Sequence, residues 1–155
     1  MANIIKINLS EREDYKNIYN EDILSYILSD YILEETKGIS LKNNIKFLVS
    51  SNFIMDDKEK ENLVFMIRNN FGAEISEIIN LSKKQLLANL FIFILGIFLL
   101  FIYSLLNFNF ISEFILILSW IFLGEAICNL LYKFVENRYK IKKYKQIVDA
   151  KVEFK

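Results

Sequence analysis

The chain alternates between two kinds of hydrophobic pattern. Near the N-terminus the period is two. Ile4–Leu9 reads IIKINL, with Ile5, Ile7 and Leu9 on one face and Lys6 and Asn8 on the other, which predicts a half-buried strand. Ile45–Ser50 (IKFLVS) repeats the pattern through Ile45, Phe47 and Val49. The end of the chain, Ala150–Lys155 (AKVEFK), sets Ala150, Val152 and Phe154 against Lys151, Glu153 and Lys155, a third predicted strand.

Between the first two strands the spacing becomes helical. Asn20 is placed as an N-cap with Glu21 and Asp22 in the first turn, and Leu24, Ile27, Leu28 and Tyr31 form the apolar stripe. Lys37 and Gly38 are read as its end, with Gly38 in a left-handed conformation. After the second strand, Asp56 and Glu59 have the spacing of a capping box, with Asp replacing Ser or Thr. A helix follows through Leu63, Ile67, Phe71, Ile75 and Ile78; Gly72 is a point where it can break or bend, and with no Pro present its later half can run continuously into the apolar run that follows. Tyr132–Ile147 reads as a basic helix leading to the third strand.

A different pattern fills the middle. No charge occurs from Gln85 to Ser112, and Leu86–Leu106 reads LLANLFIFILGIFLLFIYSLL. At ~1.5 Å per residue this run is ~31 Å long, the thickness of a bilayer's hydrocarbon core, and it is apolar on every face. A second run, Phe110–Leu131, follows after only Asn107-Phe108-Asn109 and carries Glu113 and Glu125 as its sole charges. The two predict a transmembrane hairpin. Lys83 and Lys84 precede it; Lys133, Arg138, Lys140, Lys142, Lys143 and Lys145 follow it; the tip has no basic residue. The positive-inside rule then puts both termini in the cytoplasm, which for a bacterial cell means a multi-pass protein of the inner (plasma) membrane. The expected fold is a small cytosolic α/β (α+β) domain with a three-stranded sheet. Residues 1–82 form its βαβα part, 83–131 the inserted hairpin, and 132–155 the basic helix and returning strand. A right-handed crossover through the first helix joins the first two strands, and one face of the sheet is covered.

Charge sharpens this division. The 155 residues carry 19 basic and 19 acidic side chains, but residues 1–82 total −5 and residues 83–145 total +5. The apolar fraction of 54% exceeds the usual range of about 45–50% because of the two runs. No His is present, which removes imidazole catalysis and His-ligated metal, and one Cys excludes a Cys-rich zinc site. No Gly-rich phosphate loop, nucleophile elbow or metal spacing occurs. Glu34-Glu35 and Asp56-Asp57 read as solvated helix ends, and Cys128 as a packing residue in a span. The chain is therefore read as a non-enzyme without cofactor or metal.

Candidate chemistry lies inside the hairpin. With a tip near residue 109, residues whose numbers add to about 218 share a depth, so Asn89 is level with Asn129. Glu125 lies a turn deeper, ~12 Å from the level of Lys133. An uncompensated carboxylate there costs ~2.5–3.5 kcal/mol. Glu125 is either a pore-lining, ion-contacting acid in an oligomer or a buried hydrogen-bonding group that fixes packing through Asn89, Ser119 or a neighbouring subunit. Glu113 sits near the outer headgroups. Two heptad stripes, Asn89/Gly96/Tyr103 and Ser112/Ser119/Ala126, predict close helix packing. A lone hairpin needs one seam, so two point to further packing against other copies. The basic collar binds either anionic headgroups or a nucleotide or nucleic-acid regulator.

Richness in Ile, Asn, Lys and Phe is typical of AT-rich bacterial genomes. The stretch Ser119–Arg138, SWIFLGEAICNLLYKFVENR, followed by a basic helix and a final strand, resembles bacterial two-span membrane proteins. The layout is similar to that of membrane effectors of anti-phage defence. This resemblance covers the layout and one span and transfers no functional residue. It implies an oligomeric pore in the bilayer, gated through its cytosolic domain by a protein or nucleotide signal.

Overall fold

The computed structural model describes residues 3–20, 22–106 and 110–155. The hairpin tip assigned to 107–109 and the first-turn acid Glu21 lie outside the described residues. The element order is β1 (Asn3–Leu9), α1 (Tyr26–Lys37), β2 (Ile45–Ser51), α2 (Asp57–Leu105), α3 (Phe110–Val148) and β3 (Lys151–Phe154). The chain divides into two compact units: Met1–Ser76 with Lys140–Lys155, and Glu77–Tyr139.

The first unit is a mixed α+β domain. Its three strands lie in the order β1-β2-β3 and both pairs are parallel. The period-two pattern dictates the register: Ile5 lies opposite Phe47 and Ile7 opposite Val49, while Phe47 and Val49 lie opposite Val152 and Phe154. One face therefore carries the core side chains of all three strands. Against it pack Leu28 and Ile32 of α1, Leu63, Met66, Ile67 and Phe71 of α2, and Ile147 of α3. Each fully buried Leu, Ile, Val or Phe contributes about 1.5–3 kcal/mol. Phe71 and Tyr144 meet with ring centroids 5.7 Å apart.

The α2 start follows its sequence signature. The Glu59 N–H donates to Asp56 Oδ1 at 2.6 Å, and the Asp56 N–H donates to Glu59 Oε2 at 3.2 Å, a reciprocal capping box. Arg12 Nε reaches Glu59 Oε1 at 2.9 Å, tying the segment after β1 to the same helix start. Gly72 does not interrupt α2, which continues to Leu105.

The beginning of α1 departs from expectation. Asn20 is not its N-cap; the helix begins at Tyr26, with Ser25 as the N-cap. Asn17 and Asn20 instead bend the chain locally, accepting from the N–H groups of Tyr19 and Asp22. Leu24 is taken by an antiparallel bridge to Lys16 rather than by a helical turn. Gly38 is also not left-handed. Its φ is −76°, and the helix closes through a tight turn from the Ile39 N–H to the Thr36 carbonyl.

Candidate functional site

The second unit consists of the 77–105 part of α2 and the 110–139 part of α3. Both helices are long and apolar enough to cross a membrane, and only 11% of the most apolar window of each is buried inside the chain. That share separates these helices from soluble core helices, which bury their apolar stripe against neighbours. Phe91, Phe98, Phe101, Phe114 and Trp120 are all more than half exposed.

What the unit does bury is a narrow seam. Among its described residues, Asn89 and Gly96 of α2, and Ser112, Ser119 and Ala126 of α3, are the buried ones. A Cβ added at Gly96 would stand 2.8 Å from Leu123 Cγ and 3.3 Å from the Leu123 backbone nitrogen, so glycine is what allows α3 this close. Nearer the unit's other end, Asn137 Nδ2 donates to Ser82 Oγ at 2.8 Å. The numbers in each pair, 96 with 123 and 82 with 137, add to 219, one from the sequence expectation. The pairs lie two heptads apart on both helices, the spacing at which the same faces keep meeting.

The seam revises the reading of the two stripes. Asn89/Gly96 and Ser112/Ser119/Ala126 are the two sides of one intrachain contact. They leave no surplus stripe for other copies, and Tyr103 is only half-buried. Ser119 donates its hydroxyl to the Ile115 carbonyl of its own helix at 2.7 Å, and Ser104 does the same to Phe101. This is how a serine satisfies itself in an apolar helix.

Glu125 is outside the seam. It is exposed, one residue before the buried Ala126, and level with exposed Ile94. The intrachain packing role through Asn89 or Ser119 is thus not made: Asn89 lies in the seam and Ser119 bonds within its own helix. Asn129 is half-buried, a turn further along. Glu113 is exposed in the first turn of α3, where the helix dipole favours an acid. Cys128 is exposed too, rather than packed into the hairpin. Gly124 shares this outer side, with open space around it.

The basic collar divides. Lys83, Lys84 and Arg138 are exposed and Lys133 is half-buried in the second unit, and the Arg138 guanidinium lies 5.3 Å from the Phe134 ring centre. Tyr132, Phe134 and Tyr139 are exposed in the same stretch, a composition suited to a headgroup layer. Lys140, Lys142 and Lys145 are exposed in the first unit. Lys143 is not a collar residue: it is 6% exposed and donates to the Ile39 carbonyl at 2.7 Å. Burial pulls its ammonium below the ordinary lysine range. Gln146 donates to the Ser40 carbonyl at 3.0 Å and also to that of Asn43, so this face of α3 clamps the loop before β2. The signal was present in the spacing, since Lys143 is four residues before the buried Ile147 and shares its helix face.

One exposed feature has no counterpart among the sequence motifs. Ile18 and Tyr19 are 90% and 96% exposed at the tip of the bent segment before α1, and Ile23, Tyr26 and Ile27 beside them are exposed as well. Among the described residues no group of acids and Cys has the geometry to hold a metal ion. No family model, curated protein or solved structure matches the chain.

Proposed function

We propose that the chain is a multi-pass protein of the bacterial inner (plasma) membrane, with both termini cytoplasmic. In this reading it assembles as a homo-oligomer that acts as a gated channel or membrane-disrupting effector, in the manner of the anti-phage effectors its layout resembles. Glu125 carries this reading. A single hairpin leaves its carboxylate against acyl chains, at a cost of ~2.5–3.5 kcal/mol. Assembly turns that outer face of α3 toward other copies, where Glu125 and Asn129 line a wetted path and the cost falls. The sheet domain receives the trigger, a cytosolic protein, a nucleotide or a nucleic acid, and passes it along α2 and α3. The test is dye release or single-channel conductance from liposomes holding the purified protein. Conductance whose cation preference is lost in Glu125→Gln supports the reading. No permeability change under any activating condition ends it.

One observation favours a second reading, a membrane-anchored adaptor without transport activity. The seam consumes both small-residue stripes, so the hairpin is self-sufficient as an anchor. Replacing residues 83–131 by an unrelated two-span hairpin separates the two: an adaptor keeps its cellular function and a channel loses it.

A further inference from the structure

The first unit has two uncovered surfaces of opposite character. The first is the outer sheet face. All-parallel sheets are found almost only with both faces covered, yet α1, α2 and α3 contribute their core residues to one face alone. The register places Ile4, Lys6, Lys46, Leu48, Lys151 and Glu153 on the other. Ile4 is 58% exposed and Lys6 and Lys151 are exposed. Glu153 is paired with both Lys46, at 2.6 Å, and Lys151, at 3.0 Å, so three lysines face one acid. This surface is basic with an apolar centre.

The second surface is the knob before α1. Its base is fixed: Tyr15 and Leu24 are buried in the core, and the Ser25 N–H donates to the Tyr15 carbonyl at 2.9 Å. The Asn17 N–H donates to the Ile23 carbonyl across the loop. Ile18 and Tyr19 project from this closed loop, exposed Ile23, Tyr26 and Ile27 follow it, and exposed Asp22 and Asp30 flank that second group in sequence. A cluster of large apolar side chains in water, rimmed by charge, marks an interaction site. The lipid surface is disfavoured as its occupant, because anionic headgroups repel those acids.

We infer that the knob of one copy docks on the bare sheet face of a second copy. Acidic rim meets lysines, and Ile18 and Tyr19 meet Ile4 and Leu48. The knob does not serve its own sheet, because its base is anchored on the covered side. The contact is heterologous, joining two different patches, and such contacts close into rings when the rotation between copies allows. The inference rests on the homo-oligomeric part of the proposed function and names the surface that joins the soluble domains.

The test uses the full chain in detergent. Tyr19→Cys and Ile4→Cys copies, each also Cys128→Ser, are co-expressed under different tags and treated with a short bismaleimide. The expected result is mixed cross-linked dimers at about tenfold the yield of a control pair, Tyr19→Cys with Lys37→Cys, reflecting the high effective concentration of docked groups. Asp22→Lys lowers the yield, and adding Lys6→Glu restores it. Three results overturn the inference: a yield no greater than the control in a preparation of oligomeric mass; cross-linking of Tyr19→Cys copies to one another; or protection of Ile4→Cys by a short DNA oligonucleotide that is unchanged in Ile18→Ser/Tyr19→Ser. A monomeric mass overturns it together with the oligomeric reading. Cross-linking without any liposome permeability supports the docking contact and removes only the channel.

Discussion

The two units use the same aliphatic and aromatic residues in opposite ways. In the sheet unit Phe47, Phe71, Ile7 and Ile32 are at most 2% exposed and form a packed core. In the hairpin unit Phe91, Phe98 and Trp120 are the surface, while Asn89, Ser112 and Ser119 are inside. The inversion matches what water and lipid each favour. In water, apolar burial supplies the driving force, so the sheet unit hides its large side chains. In lipid that force is absent, and helices associate through close packing of small residues and hydrogen bonds. Gly96 against Leu123 and Asn137 with Ser82 are contacts of those two kinds.

The largest expected effect tests this inversion directly. Phe47→Ala opens a cavity in a fully packed core and should cost about 3–5 kcal/mol. Phe98→Ala, on the outer surface of the hairpin, should cost less than about 1 kcal/mol in detergent or bilayer, because little intrachain packing is lost. Urea unfolding followed by circular dichroism in detergent compares the two variants. Equal losses would mean that the hairpin surface is packed against protein like an ordinary core, and the comparison would collapse.

A smaller effect separates the two hairpin glycines. Gly96→Ala places a methyl on Leu123 and should cost about 1–3 kcal/mol by overpacking. Gly124→Ala meets nothing within 4 Å. It should be neutral or stabilising by up to about 1 kcal/mol through helix propensity. Thermal unfolding in detergent ranks them, and loss in Gly124→Ala alone would show that the outer face, not the seam, is the close contact. Next comes Asn137→Ala, which removes the bond to Ser82 and should cost about 1 kcal/mol.

Much of this arrangement is legible in the sequence, for identifiable reasons. Period-two alternation marked all three strands, because one sheet face is dry and the other wet. The spacing of Asp56 and Glu59 marked the α2 start, because the cap uses only local groups. The apolar runs marked the two membrane-length segments, because no other pattern keeps a helix so nearly apolar on every face for so long. What failed depended on contacts distant in sequence. Asn20 looked like an N-cap, but the bridge from Lys16 to Leu24 holds the chain in a loop for five further residues before Tyr26. Lys143 looked like a solvated collar charge, but the loop at Ile39 covers it. Heptad spacing located Gly96 and Ser119 on helix faces without saying that these faces meet each other. The placement of Glu125 turned on one residue: Ala126 takes the seam, and its neighbour is turned out.

The smallest expected effect is a pH dependence on the bare sheet face. Hydrogen bonds from Lys46 and then Lys151 hold the Glu153 carboxyl below its ordinary carboxylate value. A carboxyl whose pKa is depressed by folding contributes stability above its unfolded pKa, and loses it as pH falls through the folded pKa. Glu153→Gln should therefore be slightly less stable than the parent chain at neutral pH, and the difference should close on acidification. Thermal midpoints of both proteins, measured from neutral pH into the carboxylate range, test this. A difference that stays constant with pH would mean that Glu153 acts through packing rather than charge. High salt should also shrink it, because the partners are at the surface. If the bare face is covered by a second copy in the assembled protein, screening weakens, and the salt sensitivity should be greater in monomeric preparations than in oligomeric ones.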